Sequence, residues 1–452
     1  MHDVLAALPA DLYLAGADVS ARHACDWSKE NAVVPPVVLR PRDTQDVSRM
    51  LKLCHAVGQP LVIQGGLTGL SGGATPRVGE WAISLERLQQ VLEVDATAMT
   101  ISVGAGTPLE VIQRIAEKHD CQFPLDLGAR GSCLAGGLVA TNAGGNAVIH
   151  YGTTRSLVLG LVAVLADGTI VAAHNKMLKN NAGWDVKQLF IGSEGILGVV
   201  TEVTFRLVPR KRSRQTALCA ARSFSDVVRL LKHVSRGTGA LTAFEVMWDG
   251  YFRAALAASG SADPLREAHA CYVLLELEGG GDAADGALIE EALGQALEEG
   301  MIVDAVIAKN AGEAEGLWRV RDAVAEIISA SGTMATFDIG VPISAMERFL
   351  VDMQRELDAE FGRCDCLAFG HVGDGNLHVL ASTGRSTDKA RIYDRVYRLT
   401  QGVGGTISAE HGIGVLKKDW LPLSRSDAEL ALMRSLKATM DPKNILNRGR
   451  IV

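Results

Sequence analysis

Gln64-Gly65-Gly66-Leu67-Thr68-Gly69-Leu70-Ser71-Gly72-Gly73 carries five glycines in ten residues, directly after the apolar run Leu61-Val62-Ile63. Glycine lets backbone approach a ligand closely, and amide N–H groups in such a loop favour phosphate oxygens. The spacing is not that of a dinucleotide fingerprint, no helical pattern follows at once, and there is no Walker lysine. Upstream, residues 37–63 read as strand, helix, strand. Asp43 and Thr44 are candidate caps, Val47, Met50, Leu51 and Cys54 share one helix face, and Gly58 ends the helix.

Downstream, Trp81-Ala82-Ile83-Ser84 and Thr100-Ile101-Ser102-Val103 read as strands. Thr107-Pro108-Leu109-Glu110 reads as a helix start with a capping box, burying Leu109, Ile112 and Ala116. Residues 124–145 are dense in Gly, Ser, Thr and Asn within an apolar context. Small residues let a large planar ligand lie against backbone, and Ser132, Thr141 and Asn142 offer hydrogen bonds to its polar edges. A third glycine-rich loop, Ile191-Gly192-Ser193-Glu194-Gly195, runs into an alternating strand with Val203, Phe205 and Leu207 on one side.

Composition narrows the classes. At 452 residues, 48% hydrophobic and 21% charged, the chain has room for two or three globular domains. A net charge of −7 without a basic run speaks against a nucleic-acid partner. The densest basic patch, Lys211-Arg212-Ser213-Arg214, follows Pro209 and reads as a solvated linker. Neither a secretion signal nor an eighteen-residue apolar run is seen, so no membrane span is expected. Eight scattered cysteines, the closest being Cys364 and Cys366, fit reduced thiols in a cytoplasmic protein.

Beyond Pro209 the pattern shifts to strands separated by helices, among them the strands around Val246, 271–277 and 302–307. A helix at 284–299 has Leu288, Leu293 and Leu297 among its apolar positions. Here Gly370-His371-Val372-Gly373-Asp374-Gly375-Asn376-Leu377-His378 sets two histidines about a tight turn that can bring their imidazoles side by side. Glu410-His411 follows later. Two imidazoles and a carboxylate with a position left open are the donors of a catalytic divalent metal, usually zinc.

The loop at 64–73, the segment 124–145, Ala166-Asp167-Gly168 and Trp184-Asp185-Val186-Lys187-Gln188-Leu189-Phe190 with Gly192-Ser193-Glu194-Gly195 resemble the FAD-binding domain of the vanillyl-alcohol oxidase superfamily. Within it, the chain most resembles the FAD-linked D-2-hydroxyglutarate and D-lactate dehydrogenases, from about Pro36 to the end. The resemblance implies an α+β protein: a two-subdomain FAD-binding domain over 1–210, an α+β cap with an antiparallel sheet over 211–415, and a segment over 416–452 returning to the FAD domain. It implies FAD contacts from Gly65, Gly66, Thr68, Gly69, Asp126, Ser132, Gly136, Thr141, Asn142, Gly195, Val200 and Asn447. Covalent members carry a histidine in the first loop; residues 64–73 have none, so the flavin is expected to be noncovalent.

By the same match His371, His378 and Glu410 are metal ligands, His411 the catalytic base and Arg321 the arginine for a substrate carboxylate. Thr336, Asn376 and Leu380 fall at substrate positions. The family chemistry removes the hydroxyl proton of a D-2-hydroxy acid and passes hydride to the flavin, with an electron-transferring flavoprotein or quinone as final acceptor. D-2-hydroxyglutarate and D-lactate both fit. Ala335-Thr336-Phe337-Asp338 lacks the usual substrate lysine, Ala325 stands for a threonine and Leu380 for an asparagine, whereas Phe337-Asp338-Ile339-Gly340-Val341-Pro342-Ile343-Ser344 looks more like the D-lactate branch. Arg448 replaces a usual proline in the closing segment. The rival readings are a flavin oxidase of an alcohol or sugar and an electron-relay subunit; a homodimer is one option for assembly.

Overall fold

The computed structural model describes residues 2–265 and 267–452. They form two compact units: Met1–Gly145, Gly152–Arg210 and Glu410–Val452 make the first, and Asn146–Tyr151 with Lys211–Ala409 the second. The first unit takes the chain up again at Glu410, ahead of residue 416. Ser71 Oγ donates to His411 O (2.9 Å), and the Ile413 and Gly414 N–H groups donate to Glu194, so these residues already belong to its glycine-rich loops.

The first unit holds two larger sheets. A four-stranded sheet runs Tyr13–Ala15, Val37–Leu39, Trp81–Ser84, Leu61–Gln64, with its inner pairs parallel. The helix Thr44–Val57 supplies the crossover. Asp43 caps it by accepting from Asp46 N, and Gly58, at φ 68°, ends it. Its buried face, Val47, Met50, Leu51 and Cys54, packs into one core with Leu39, Leu61, Ile83, Ile445 and Leu446. Each fully buried side chain of this size contributes about 1.5–3 kcal/mol. The C-terminal residues extend this sheet: Leu61 N donates to Ile445 O and Asn447 N to Leu61 O. A five-stranded antiparallel sheet, in the order Val91–Asp95, Thr100–Gly104, Val199–Arg206, Val158–Val164, Ile170–Ala173, forms a second core with the helices Leu109–Lys118 and Ala135–Thr141.

The capping box expected at Thr107 does not form. Helix Leu109–Lys118 starts from Pro108 without a side-chain cap. Its first amides are taken instead by backbone, Leu109 N donating to Cys133 O and Glu110 N to Arg130 O. Thr107 Oγ1 is buried without a partner. A loop of the first unit thus performs the work expected of a cap.

The second unit is a seven-stranded antiparallel sheet in the order Asp304–Ile307, Ser213–Ala221, Cys271–Gly279, Leu241–Trp248, Asp365–Gly370, Asn376–Ser382, Ala335–Gly340. The helices Asp249–Ser259, Ala311–Arg321 and Val324–Ser331 share a core with it, built on Met247, Tyr251, Phe252, Tyr272 and Phe369. The basic patch at 211–214 is not a solvated linker: a strand begins at Ser213, where Arg214 faces Glu278 in register and pairs with it at 2.9 Å. Helix Asp282–Glu298 buries Ile289, Ala292, Leu293 and Ala296, a 3.6-residue stripe that leaves Leu297 exposed.

Candidate functional site

The glycine-rich loops of the first unit converge on a cavity of about 350 Å³. Gly65, Gly66, Thr68, Gly69, Gly136, Thr141, Gly195, Val200 and Asn447 line it, as do Glu410 and His411. Asn447 holds two of its edges: Oδ1 accepts from Ile63 N (2.8 Å) and Nδ2 donates to Glu194 O (2.6 Å). A Cβ on Gly195 would meet that Nδ2 at 2.9 Å, and Gly195 sits at φ 74°, so glycine is required twice over. On Gly66 a Cβ would strike Ser132 O at 1.9 Å; on Gly137 it would meet no atom within 4 Å. The Gly137 side of the wall is therefore open to a ligand, and a flat cofactor fits a cradle whose missing Cβ atoms leave it that room.

Asp126, Ser132 and Asn142, expected at the cofactor, do not line the cavity. Ser132 is exposed and its hydroxyl turns back to Ala129 O. Asn142 sits at φ 50° and its Oδ1 accepts from Arg155 N (2.9 Å). Asp126 pairs with Arg130. Each spends its polar group locally, as Ser, Asn and Asp do in turns. Sequence reading omitted Glu194 from the contact residues although its loop was recognised. Its carboxylate is fixed by Ile413 N (2.7 Å) and Gly414 N (2.8 Å); burial pushes its pKa up against those donors.

In the second unit, strands Asp365–Gly370 and Asn376–Ser382 form an antiparallel hairpin closed by the turn Val372–Asp374. Gly375, at φ 83°, makes the turn, and a Cβ on Gly373 would meet Ile149 Cδ1 at 2.4 Å. The hairpin sets His371 and His378 edge to face, ring centroids 5.4 Å apart, both buried. Asn376, in the same turn, is buried with neither side-chain amide atom hydrogen-bonded.

Arg321, at the end of its helix, is buried against this pair. Its Nε donates to Glu245 Oε2 (2.9 Å), Nη1 to Asp322 Oδ1 (3.1 Å) and Nη2 lies 3.1 Å from His371 Nε2. The other Glu245 oxygen is 2.6 Å from His371 Nδ1. Burial alone would raise the pKa of Glu245, but the Arg321 charge and then His371 outweigh it and hold it at about 2. Glu245 was missed from sequence; a lone carboxylate amid Leu241-Thr242-Ala243-Phe244 and Val246-Met247 was the available signal. Thr336 is exposed, and Leu380 is enclosed in the apolar core beside Phe369, so that core, rather than an open site, surrounds it.

The two imidazoles of the second unit offer nitrogen donors of the kind that zinc or a similar divalent ion takes. Ala409 N donates to Asp338 O (3.2 Å), and Asp338 lies across from His378 in register.

The glycine-lined cradle and the antiparallel-sheet unit fall within two families that together mark an FAD-linked oxidoreductase. Residues 35–174 match the family described as FAD binding domain, and residues 210–451 match FAD linked oxidases, C-terminal domain. The fold is shared with a crystal structure of p-cresol methylhydroxylase with substrate bound (TM-score 0.80, 16% identity, covering 100% of this chain and 95% of that one).

The chain belongs to the family of FAD-linked D-2-hydroxy-acid dehydrogenases. It is 38% identical to D-2-hydroxyglutarate dehydrogenase of Xanthomonas citri pv. viticola, over 94% of this chain and 91% of that protein. It is 37% identical to the mitochondrial D-2-hydroxyglutarate dehydrogenase of Bos taurus, over 93% of this chain and 78% of that protein. The bovine name overturns the expectation of a cytoplasmic protein. Unpaired thiols, on which that expectation leaned, do not distinguish one reducing compartment from another.

Proposed function

We propose that this protein oxidises a D-2-hydroxy acid to the 2-oxo acid, with D-2-hydroxyglutarate as first substrate and D-lactate as second. The observation that carries the reading is the wall of the glycine cradle, where Glu410 and His411 stand beside the cofactor space. FAD, held noncovalently by Gly65, Gly66, Thr68, Gly69, Gly136, Thr141, Gly195, Val200 and Asn447, supplies the two-electron acceptor. His371, His378 and Glu410 would hold a divalent ion, and that ion would supply Lewis acidity that makes the substrate hydroxyl easier to deprotonate.

The remaining work falls to side chains. His411 takes the hydroxyl proton. Arg321 is the candidate for the C1 carboxylate, through the Nη1 N–H that its contacts to Glu245, Asp322 and His371 leave over. Asn376 contributes an amide whose hydrogen bonds are unspent within the protein. D-2-hydroxyglutarate ranks first on the names of the relatives; the absence of a lysine in Ala335-Thr336-Phe337-Asp338 keeps D-lactate in play.

Stereochemistry and acid class test this directly. With an artificial two-electron acceptor dye, the D-isomers of 2-hydroxyglutarate and lactate are expected to be turned over and the L-isomers not. Turnover of simple alcohols or sugars, but of neither D-acid, would replace the reading with that of an oxidase.

A further inference from the structure

Glu245 stands outside both proposed roles yet touches a residue from each. Its strand, Leu241–Trp248, lies beside Asp365–Gly370, and the two pair at Val246↔Gly370 and Met247↔Phe369. That register sets Glu245 facing the histidine turn. Its side chain is 1% exposed. A carboxylate so enclosed is costly unless both oxygens are used, and here both are. Oε1 meets His371 Nδ1 at 2.6 Å, and Oε2 meets Arg321 Nε at 2.9 Å and Nη2 at 2.8 Å.

The contact to Oε1 decides the histidine tautomer. A carboxylate oxygen only accepts, so Nδ1 carries a proton, and a guanidinium only donates, so Nε2 takes the acceptor role. The Arg321 donor at 3.1 Å from Nε2 agrees with that assignment. Nε2 is thereby the accepting nitrogen, facing Arg321 here, and a metal taking it would replace that contact. The contact to Oε2 fixes the plane of the guanidinium, whose Nη1 is held by Asp322.

We infer that Glu245 is a positioning residue that sets the metal ligand His371 and the carboxylate clamp Arg321 in one register. The inference rests on the metal and substrate roles proposed above. One carboxylate serving two donors makes the two elements interdependent: a change at Glu245 disturbs metal affinity and substrate affinity together. A purely structural ion pair would change folding stability and leave both affinities alone.

Glu245→Gln is the sharp variant. Its amide has one oxygen, so it satisfies Arg321 or His371 but not both. Turned toward Arg321, it presents an N–H₂ group to Nδ1 and favours the ring tautomer in which Nε2 is protonated. Glu245→Asp keeps the charge that Arg321 needs inside the fold and shortens the reach, and so guards against a Gln variant that does not fold. The probe is Zn²⁺ alone, titrated calorimetrically into chelator-treated, FAD-loaded protein, alongside kcat and KM for whichever D-acid is turned over.

Glu245→Gln is expected to weaken zinc binding roughly 10–100-fold and to raise KM more than it lowers kcat, with Glu245→Asp between it and the native protein. Zinc affinity and KM both unchanged in a folded variant would overturn the inference. His371→Ala separates the two levels. If it abolishes zinc binding while Glu245→Gln and Glu245→Asp do not weaken it, the positioning role alone fails. Where His371→Ala leaves zinc binding intact, the metal assignment fails and the inference falls with it.

Discussion

Two glycines on the cofactor wall look alike in sequence and differ in what surrounds them. Gly137 lies in the helix Ala135–Thr141 with no atom within 4 Å of an added Cβ, whereas on Gly66 that Cβ would meet Ser132 O at 1.9 Å. Gly137→Ala should therefore fold at least as well as the native chain, since alanine is favoured in a helix by about 1 kcal/mol. It should nevertheless lose FAD affinity by about tenfold, the equivalent of 1.4 kcal/mol, because the methyl enters the cofactor space. Gly66→Ala should fail at the level of folding. Thermal melts of the apoprotein and flavin titration of the soluble variant read the two effects separately. At this scale the glycine loops were legible because a missing side chain is itself the signal. Ser132 and Asn142 misled because a polar residue in a turn serves backbone as readily as ligand, and sequence does not say which. Glu245 was not legible as a site residue: its partners are 76 and 126 positions away, and only the strand register brings them to it.

The hairpin of Asp365–Gly370 and Asn376–Ser382 is the element on which the metal assignment turns. Two histidines about a tight Gly-Asp-Gly-Asn turn made it legible in the sequence, because turn chemistry is local. Helix starts were less legible. Thr107 had the pattern of a capping box, yet the chain at 130–133 reached the same amides first. Within the hairpin, Gly375 occupies a left-handed conformation at φ 83°. Gly375→Ala is expected to cost about 1–2 kcal/mol of stability through that strain. It should also weaken zinc binding, since His371 and His378 flank the strained turn. Denaturant unfolding and the zinc titration would show both; a stable variant with native zinc affinity would detach the turn from the site.

For the molecule as a whole, the two-unit α+β plan was legible because the shift in pattern after Pro209 reflects a real change of sheet. The return of the chain at Glu410 was less so, since its cause is hydrogen bonding to Glu194 and Ser71 from distant segments. The far C-terminus has a comparable role inside the first unit. Arg450 is fully buried, pairs with both oxygens of Glu80 (3.0 and 2.9 Å) and donates to Gly73 O and Thr75 O at the end of the first glycine loop. Arg450→Met would leave Glu80 buried without its counter-charge. Its expected cost is about 3–5 kcal/mol, seen by denaturant unfolding, together with weaker flavin retention. A loss below 1 kcal/mol would mean that water or another cation reaches Glu80.

The proposed reaction is reduction of the flavin by a D-2-hydroxy acid with help from a bound metal. Anaerobic mixing of the purified flavoprotein with D-2-hydroxyglutarate or D-lactate, before and after chelation, follows that event in the visible absorption of the flavin. Fast bleaching by a D-acid, abolished by chelation and restored by Zn²⁺, is the predicted result. Bleaching that chelation leaves untouched would remove the metal from the reaction, and no bleaching by either acid would contradict oxidation of a D-2-hydroxy acid by this protein.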